Sequence, residues 1–176
     1  MNDESNTTSS AEEHIDKQVE KTVEALETVK RYAIGSMAVG LIPVPLVDIA
    51  ALTGIQLKML HSLAEQYEVP FSENLVKSLV SSLLGGTLSL VVAMPVASLL
   101  KSIPLIGQAS GAVSMAVMGG GATYAVGKIF IQHFESGGTF LDFDPEKVKG
   151  QFKKLYEEGK NFASRQKSPA KSEKSD

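Results

Sequence analysis

The chain of 176 residues contains no cysteine and no tryptophan, and aromatics together make up only 6% of it. Without cysteine there is no disulfide framework, no thiol nucleophile and no cysteine-ligated metal. Catalytic signatures are also missing. No G-x-x-x-x-G-K-[ST] loop is present to cradle a nucleotide phosphate, and no G-x-S-x-G elbow to hold a nucleophilic serine. His14, His61 and His133 stand singly, none with a second histidine or a carboxylate at metal-ligand spacing in an evident site. The sequence therefore offers no catalytic, cofactor-binding or metal residue, and the expectation is a protein that is not an enzyme and takes no cofactor. A net charge of −3 with no basic–aromatic patch gives no reason to expect nucleic acid as a partner. The N-terminus "MNDESNTTSS" lacks the basic and apolar regions of a signal peptide, and neither end carries a lipidation signal.

Charge is scarce in one place above all. Residues 1–70 hold 5 basic and 11 acidic side chains and residues 141–176 hold 9 and 7, but residues 71–140 hold only 3 and 2. Within that middle third, Leu79 to Leu100 is 22 residues without a charge, and Leu105 to Gly127 is 23 more, separated by "KSIP". Each run meets the length of about 20 apolar residues needed to cross a bilayer core. Small residues recur along both. Ser81, Gly85, Ser89, Ala93 and Ala97 repeat every four positions, as do Gly107, Gly111, Gly119, Thr123 and Gly127 apart from Met115. Such rows let helices approach closely in lipid, so Gly85, Ser89, Ala93, Gly107, Gly111 and Gly119 are the expected helix-packing positions. The expectation is a two-helix transmembrane hairpin at about 79–127, kinked at Pro95, with Tyr124, Phe130 and Phe134 forming an interfacial belt. Basic residues outside the turn (Lys77, Lys128, Lys147 and Lys149 against Lys101) place both termini in the cytoplasm.

The flanks read as amphipathic helices. "SAEE" forms a capping box that starts a first helix near Ser10. Ile15, Val19, Thr22, Leu26, Val29 and Ala33 then recur at coiled-coil spacing, as one helix of a bundle or as a docking stripe for a partner helix. Glu13–Lys17 and Glu27–Arg31 add i,i+4 support. A second helix follows Pro43 and Pro45. On it Asp48 falls in the middle of an apolar arc with Leu52, Ile55, Met59 and Leu63, and Gln56 lies inside the same arc. A carboxylate there gains from the free N–H groups at the helix start and needs a second partner, with Lys30 or Arg31 in reach of the argument. Ser72 caps a third helix. Gly137–Gly138 break the chain, and Asp144 caps a last helix with Pro145 at its first position. The face formed by Val148, Phe152, Leu155, Tyr156 and Phe162 suits either a membrane surface or repacking on the first helices. Residues 1–10 and 165–176 are expected as disordered polar tails around one helical, membrane-associated domain at 11–164.

The stretch "GLIPVPLVDIAALTGIQLKMLHSLAEQYEVPFSENLVKSLVSSLLGG", followed by "FESGGTFLDFDPEKVKGQFKKLYEEGK", resembles a bacterial family of uncharacterised GTPase-associated proteins. It is a domain of unknown function that also occurs in YcjF-like inner-membrane proteins. Pro43, Pro45, Asp48, Gln56, Met59 and Tyr67 carry the resemblance, over roughly residues 30–160. One departure stands out: the family pattern has Gly after the tyrosine, where this chain has Glu68.

The resemblance implies a helical module of the bacterial inner (cytoplasmic) membrane. Its partners would be the lipid bilayer and a GTPase, acting in trans, or another cytosolic protein; Pro43, Pro45, Asp48 and Gln56 would be the coupling residues. Taken together, the expectation is an all-α, non-enzymatic membrane module that docks a cytosolic partner. Two alternatives remain: a soluble bundle that inserts its apolar hairpin to form pores or remodel membranes, and a homo-oligomeric channel packed along the glycine rows.

Overall fold

The computed structural model describes residues 4–39, 47–92 and 107–166, with side-chain environments for 12–39, 51–85 and 114–166. Those residues form five α-helices: α1 (Glu4–Val39), α2 (Val47–Tyr67), α3 (Glu73–Val92), α4 (Gly107–Glu135) and α5 (Pro145–Gln166). The all-α expectation holds. α1 starts six residues before Ser10, which therefore lies inside the helix rather than capping it, and residues 4–10, expected as tail, are helical. Nothing in "ESNTTSS" is Gly or Pro, so no breaker stops the helix there.

α4 is the hub, packing most extensively on α5 and α1, then on α2. The pairings fix directions. Thr22 bonds Glu135 while Ser36 lies against Gly119, so α1 runs antiparallel to α4. Tyr67 bonds Glu135 and Gln56 bonds Thr123, so α2 runs parallel to it. Gln151 bonds Gln132 and Ala163 meets Gly120, so α5 runs back antiparallel. α3 packs on α5 and α2.

This arrangement leaves the transmembrane hairpin unsupported; its residues 93–106, with the kink expected at Pro95, lie outside the described residues. No helix among the described residues is long and apolar enough to cross a membrane. From Gly119 to Phe134 nearly every residue of α4 is buried, and buried by protein: Val126, Ile129, Phe130, Ile131 and Phe134 share one core with Val29, Met59, Leu63, Val76, Val80, Leu83, Phe140 and Phe152. The second charge-free run is apolar because α1, α2 and α5 surround its C-terminal half. Tyr124, Phe130 and Phe134 accordingly form no interfacial belt. Phe130 touches the rings of Phe134, Phe140 and Phe143, and Tyr124 stacks on Phe162.

The turns are specified locally. Asp144 accepts a hydrogen bond from the Glu146 amide at 3.0 Å, the N-cap expected before Pro145. α4 closes with a Schellman motif: the Gly138 amide donates to the His133 carbonyl and the Gly137 amide to the Phe134 carbonyl, with Gly137 at φ +82°. α2 closes the same way, the Val69 amide donating to Ala64 and the Glu68 amide to Glu65. Here the left-handed position is Glu68, at φ +58°. The non-glycine residue therefore keeps the turn, at a cost of roughly 1–2 kcal/mol.

The face of α5 carrying Phe152, Leu155, Gly159 and Ala163 is buried on the bundle, which decides its role in favour of repacking on the other helices. Along the polar face of α1, Lys17 pairs with Glu13 at 2.7 Å as expected, whereas Glu27 pairs with Lys30 rather than Arg31.

Candidate functional site

Three features stand out once the helices are in place: glycine crossings, a polar seam around α2, and two chemically distinct ends.

The crossings explain how α4 admits two neighbours so closely. A β-carbon at Gly127 would overlap Val29, and one at Gly120 would lie 2.7 Å from Met37 Cγ and 3.2 Å from the Ala33 carbonyl oxygen. On the α5 side, a β-carbon at Gly159 would meet the Gly121 carbonyl oxygen at 2.7 Å and Tyr124 Cβ at 2.9 Å. Of the expected packing positions, Gly119 sits at ordinary contact distance from Ser36 and Leu52, and Gly85 is exposed with open space where a side chain would go. Gly107 and Gly111 lie on α4 and Ser89 on α3, with surroundings outside the described residues, as is Ala93 altogether. Sequence reading passed over Gly159. The signal was there: a glycine inside a Lys-rich helix costs about 1 kcal/mol unless something needs the space.

The α4–α5 crossing is clasped by Glu158, which accepts from Tyr124 Oη at 2.7 Å and Lys128 Nζ at 2.9 Å. Burial and the neighbouring Glu158 push the Tyr124 hydroxyl well above its ordinary value, so it remains a donor at any physiological pH. A second clasp closes the other side. Glu135 accepts from Thr22 Oγ1 at 2.5 Å and Tyr67 Oη at 3.0 Å, tying α1 and α2 to the end of α4. The Tyr67 hydroxyl is raised likewise, first by burial and then by Glu135.

The polar seam runs along α2. Gln56 is fully buried, and its Nε2 reaches Thr123 Oγ1 at 3.4 Å while Oε1 has no partner. Flipping the carboxamide would only exchange which end is orphaned. Ser36, also buried, spends its hydroxyl on the Ala33 carbonyl. Further along, an open groove of about 630 Å³ lies between α1 and α2, lined by Thr28, Arg31, Tyr32, Gly35, Ile55, Ser62, Glu65 and Gln66. Tyr32 and Ser62 hydroxyls meet across it at 3.2 Å, and Gln66 Nε2 donates to Thr28 at 3.0 Å, leaving Gln66 Oε1 without a partner.

An apolar side chain of the same shape should serve the fold better than the orphaned amide of Gln56. Gln56→Met is expected to raise stability by about 1 kcal/mol. Chemical denaturation of the two proteins checks this, and a loss of stability would mean the amide is satisfied.

Of the expected coupling residues, Gln56 therefore cannot touch a docked protein unless α2 moves. Asp48 is in the first turn of α2 but its side chain is outside the described residues, as are Pro43 and Pro45 entirely. Its suggested partners are engaged otherwise, Lys30 with Glu27 and Arg31 with Thr28 at 3.4 Å. No group of His, Asp and Glu that could hold a metal occurs among the described residues. His133 is structural, its Nε2 donating to the Thr139 carbonyl at 2.8 Å inside the α4–α5 turn.

The two ends differ. At the Glu135 end gather the aromatics and the ordered turns, and α1 continues past them. At the opposite end α1 stops at Val39 and α2 begins at Val47, while α4 starts twelve residues before Gly119, about 18 Å further out. Residues 40–46 and 105–127 contain no charged side chain.

The fold thus defines an all-helical module with one central helix. The chain belongs to the family described as Domain of unknown function (DUF697), which matches residues 3–161. It is also similar to a protein named magnetosome membrane protein 22 from Magnetospirillum gryphiswaldense, with 40% identity over 138 residues, covering 78% of this chain and 71% of that protein. No solved structure matches.

Proposed function

We propose that this protein is a non-enzymatic, membrane-associated helical module whose uncharged end meets the bilayer and whose opposite end docks a cytosolic protein, a GTPase acting in trans being the partner that the family resemblance favours. The observation that carries the membrane reading is the overhang of α4. Its first residues, residues 40–46 and the run up to Leu100 supply uncharged chain, and Ser114 and Met115, just before the buried part of α4, are exposed. The relative described as a magnetosome membrane protein supports the same reading.

The depth of the contact follows from arithmetic. Val80 and Leu83 belong to the core, as does α4 from Ala116 onward. The second arm keeps only the 11 uncharged residues 105–115, fewer than a spanning helix needs, and segments of about 10–14 apolar residues suit a re-entrant or interfacial position. Shallow insertion leaves the bundle intact; a full hairpin would dissolve it. Gly119 and Gly127, of the glycine row that a channel would use, are already occupied by α1 and α2. On this reading the protein works at the inner face of a bacterial cytoplasmic membrane.

Flotation with phosphatidylethanolamine–phosphatidylglycerol vesicles tests the reading. The protein is expected to float, to withstand high salt and to be released by alkaline carbonate, and Leu99→Asp/Leu100→Asp is expected to stay at the bottom of the gradient with unchanged thermal unfolding. Retention after carbonate would favour a spanning hairpin. Failure of the wild type to float would remove the membrane from the account.

A further inference from the structure

α1 is 36 residues long, yet among the described side chains its last tie to the bundle on the N-terminal side lies at Lys21 and Thr22. The preceding part, about 18 residues or 27 Å of helix, stands beyond the Glu135 end. Residues 12–20 are all exposed. An isolated helix of that length is marginal in water, and this one carries an uncovered apolar row: Ile15 is 60% exposed, Val19 56% and Val23 55%.

Ile15 and Val19 continue the heptad line on which Thr22, Leu26, Val29 and Ala33 face α4. The seam that holds α1 in the bundle thus extends, unpartnered, past the bundle's end. Charge says what fits it. At 100° per residue Glu12 stands on the row's N-terminal end, one heptad before Val19, while Asp16 and Glu20 lie along one side of the row and Gln18 on the other. The two nearby lysines are occupied, Lys17 by Glu13 and Lys21 over the Tyr67 ring at 5.0 Å. The ledge is therefore apolar along its centre and acidic along its flank.

We infer that the projecting half of α1 is the docking surface, and that its occupant is a basic amphipathic helix of a separate protein, with apolar residues against Ile15, Val19 and Val23 and lysine or arginine against Glu12, Asp16 and Glu20. This rests on the partner-docking part of the proposed function and gives it a location; it is independent of the membrane part. A second copy is a poor occupant. Its own Lys-rich helix, α5, has its apolar face buried in its own bundle, and two parallel copies of α1 would set Glu12 against Glu12 on the seam.

The test uses the full chain and two synthetic helical peptides with leucine at heptad positions a and d, one with lysine and one with glutamate at e and g. The lysine peptide is expected to bind at least about tenfold more tightly than the glutamate peptide, and to weaken with salt. Ile15→Asp/Val19→Asp should lose about tenfold or more in affinity for it without any change in thermal unfolding or vesicle flotation, because both side chains face solvent. Glu12→Lys/Asp16→Lys should reverse the preference between the peptides. Equal binding to wild type and the Ile15→Asp/Val19→Asp variant, or no binding at all, overturns the inference. So does sedimentation showing a wild-type dimer that the same variant abolishes, which would assign the ledge to a second copy. A protein that floats but binds neither peptide would leave the membrane reading standing alone.

Discussion

Replacing Phe130 by alanine is expected to lower stability by about 3–5 kcal/mol, the range for removing a buried aromatic ring. Phe130 is fully buried at the point where three parts of the chain meet. It stacks on Phe143 at a centroid distance of 4.3 Å and touches Phe140 at 5.3 Å and Phe134 at 5.8 Å. Phe140 in turn reaches Phe71 edge-on at 5.8 Å. One ring therefore couples α4 to the α4–α5 turn and, through Phe140, to the segment entering α3. The cavity left behind could close only by moving elements that are themselves pinned by the Schellman turn and the Asp144 cap. The fall in Tm should be on the order of 10 °C. Leu141, next in the chain to Phe140 and 85% exposed, is the control: Leu141→Ala should stay within about 0.5 kcal/mol of wild type. Thermal denaturation of both variants decides it. If Phe130 instead lay in lipid, its loss would leave unfolding in buffer nearly untouched.

Gly159→Val is the second large effect, expected to cost about 3 kcal/mol. The atoms that a β-carbon would strike are the carbonyl oxygen of Gly121 at 2.7 Å and its Cα at 3.0 Å, both backbone. No rotamer change relieves such a clash, so α4 and α5 must separate, and the Tyr124–Glu158–Lys128 clasp lengthens with them. The same helix supplies the contrast. A β-carbon at Gly150 meets nothing within 4 Å, so Gly150→Ala should gain about 1 kcal/mol from helix propensity alone. Opposite signs from two glycines nine residues apart on one helix would come from the crossing, not from propensity. Equal signs in urea unfolding would mean that the helices do not approach here.

Much of this architecture is legible residue by residue. Helical spacing, the Asp144–Pro145 start and the Gly137–Gly138 stop are local, each set by a few neighbouring groups, and each stands where the sequence put it. The substitution of Glu68 for glycine was visible too, though not its consequence: the Val69–Ala64 hydrogen bond holds the turn against the residue's own preference. The candidate sites were less legible. Gln56 was read correctly as facing the packing side of α2, but that same position buries it out of a partner's reach. The stripe on α1 divides: its C-terminal half is a bundle contact and its N-terminal half is exposed.

The sequence by itself determined that residues 105–127 form an uncharged helix able to accept very close neighbours. It did not determine what those neighbours are. Lipid and a protein interior make the same demand on a helix, that it carry no charge and let backbones approach, so hydropathy and glycine spacing cannot separate them. That choice was made by α1 and α5, separate helices on either side of the run's buried half along the chain. Their apolar faces, with Gly159 of α5, cover α4 from Gly119 to Phe134.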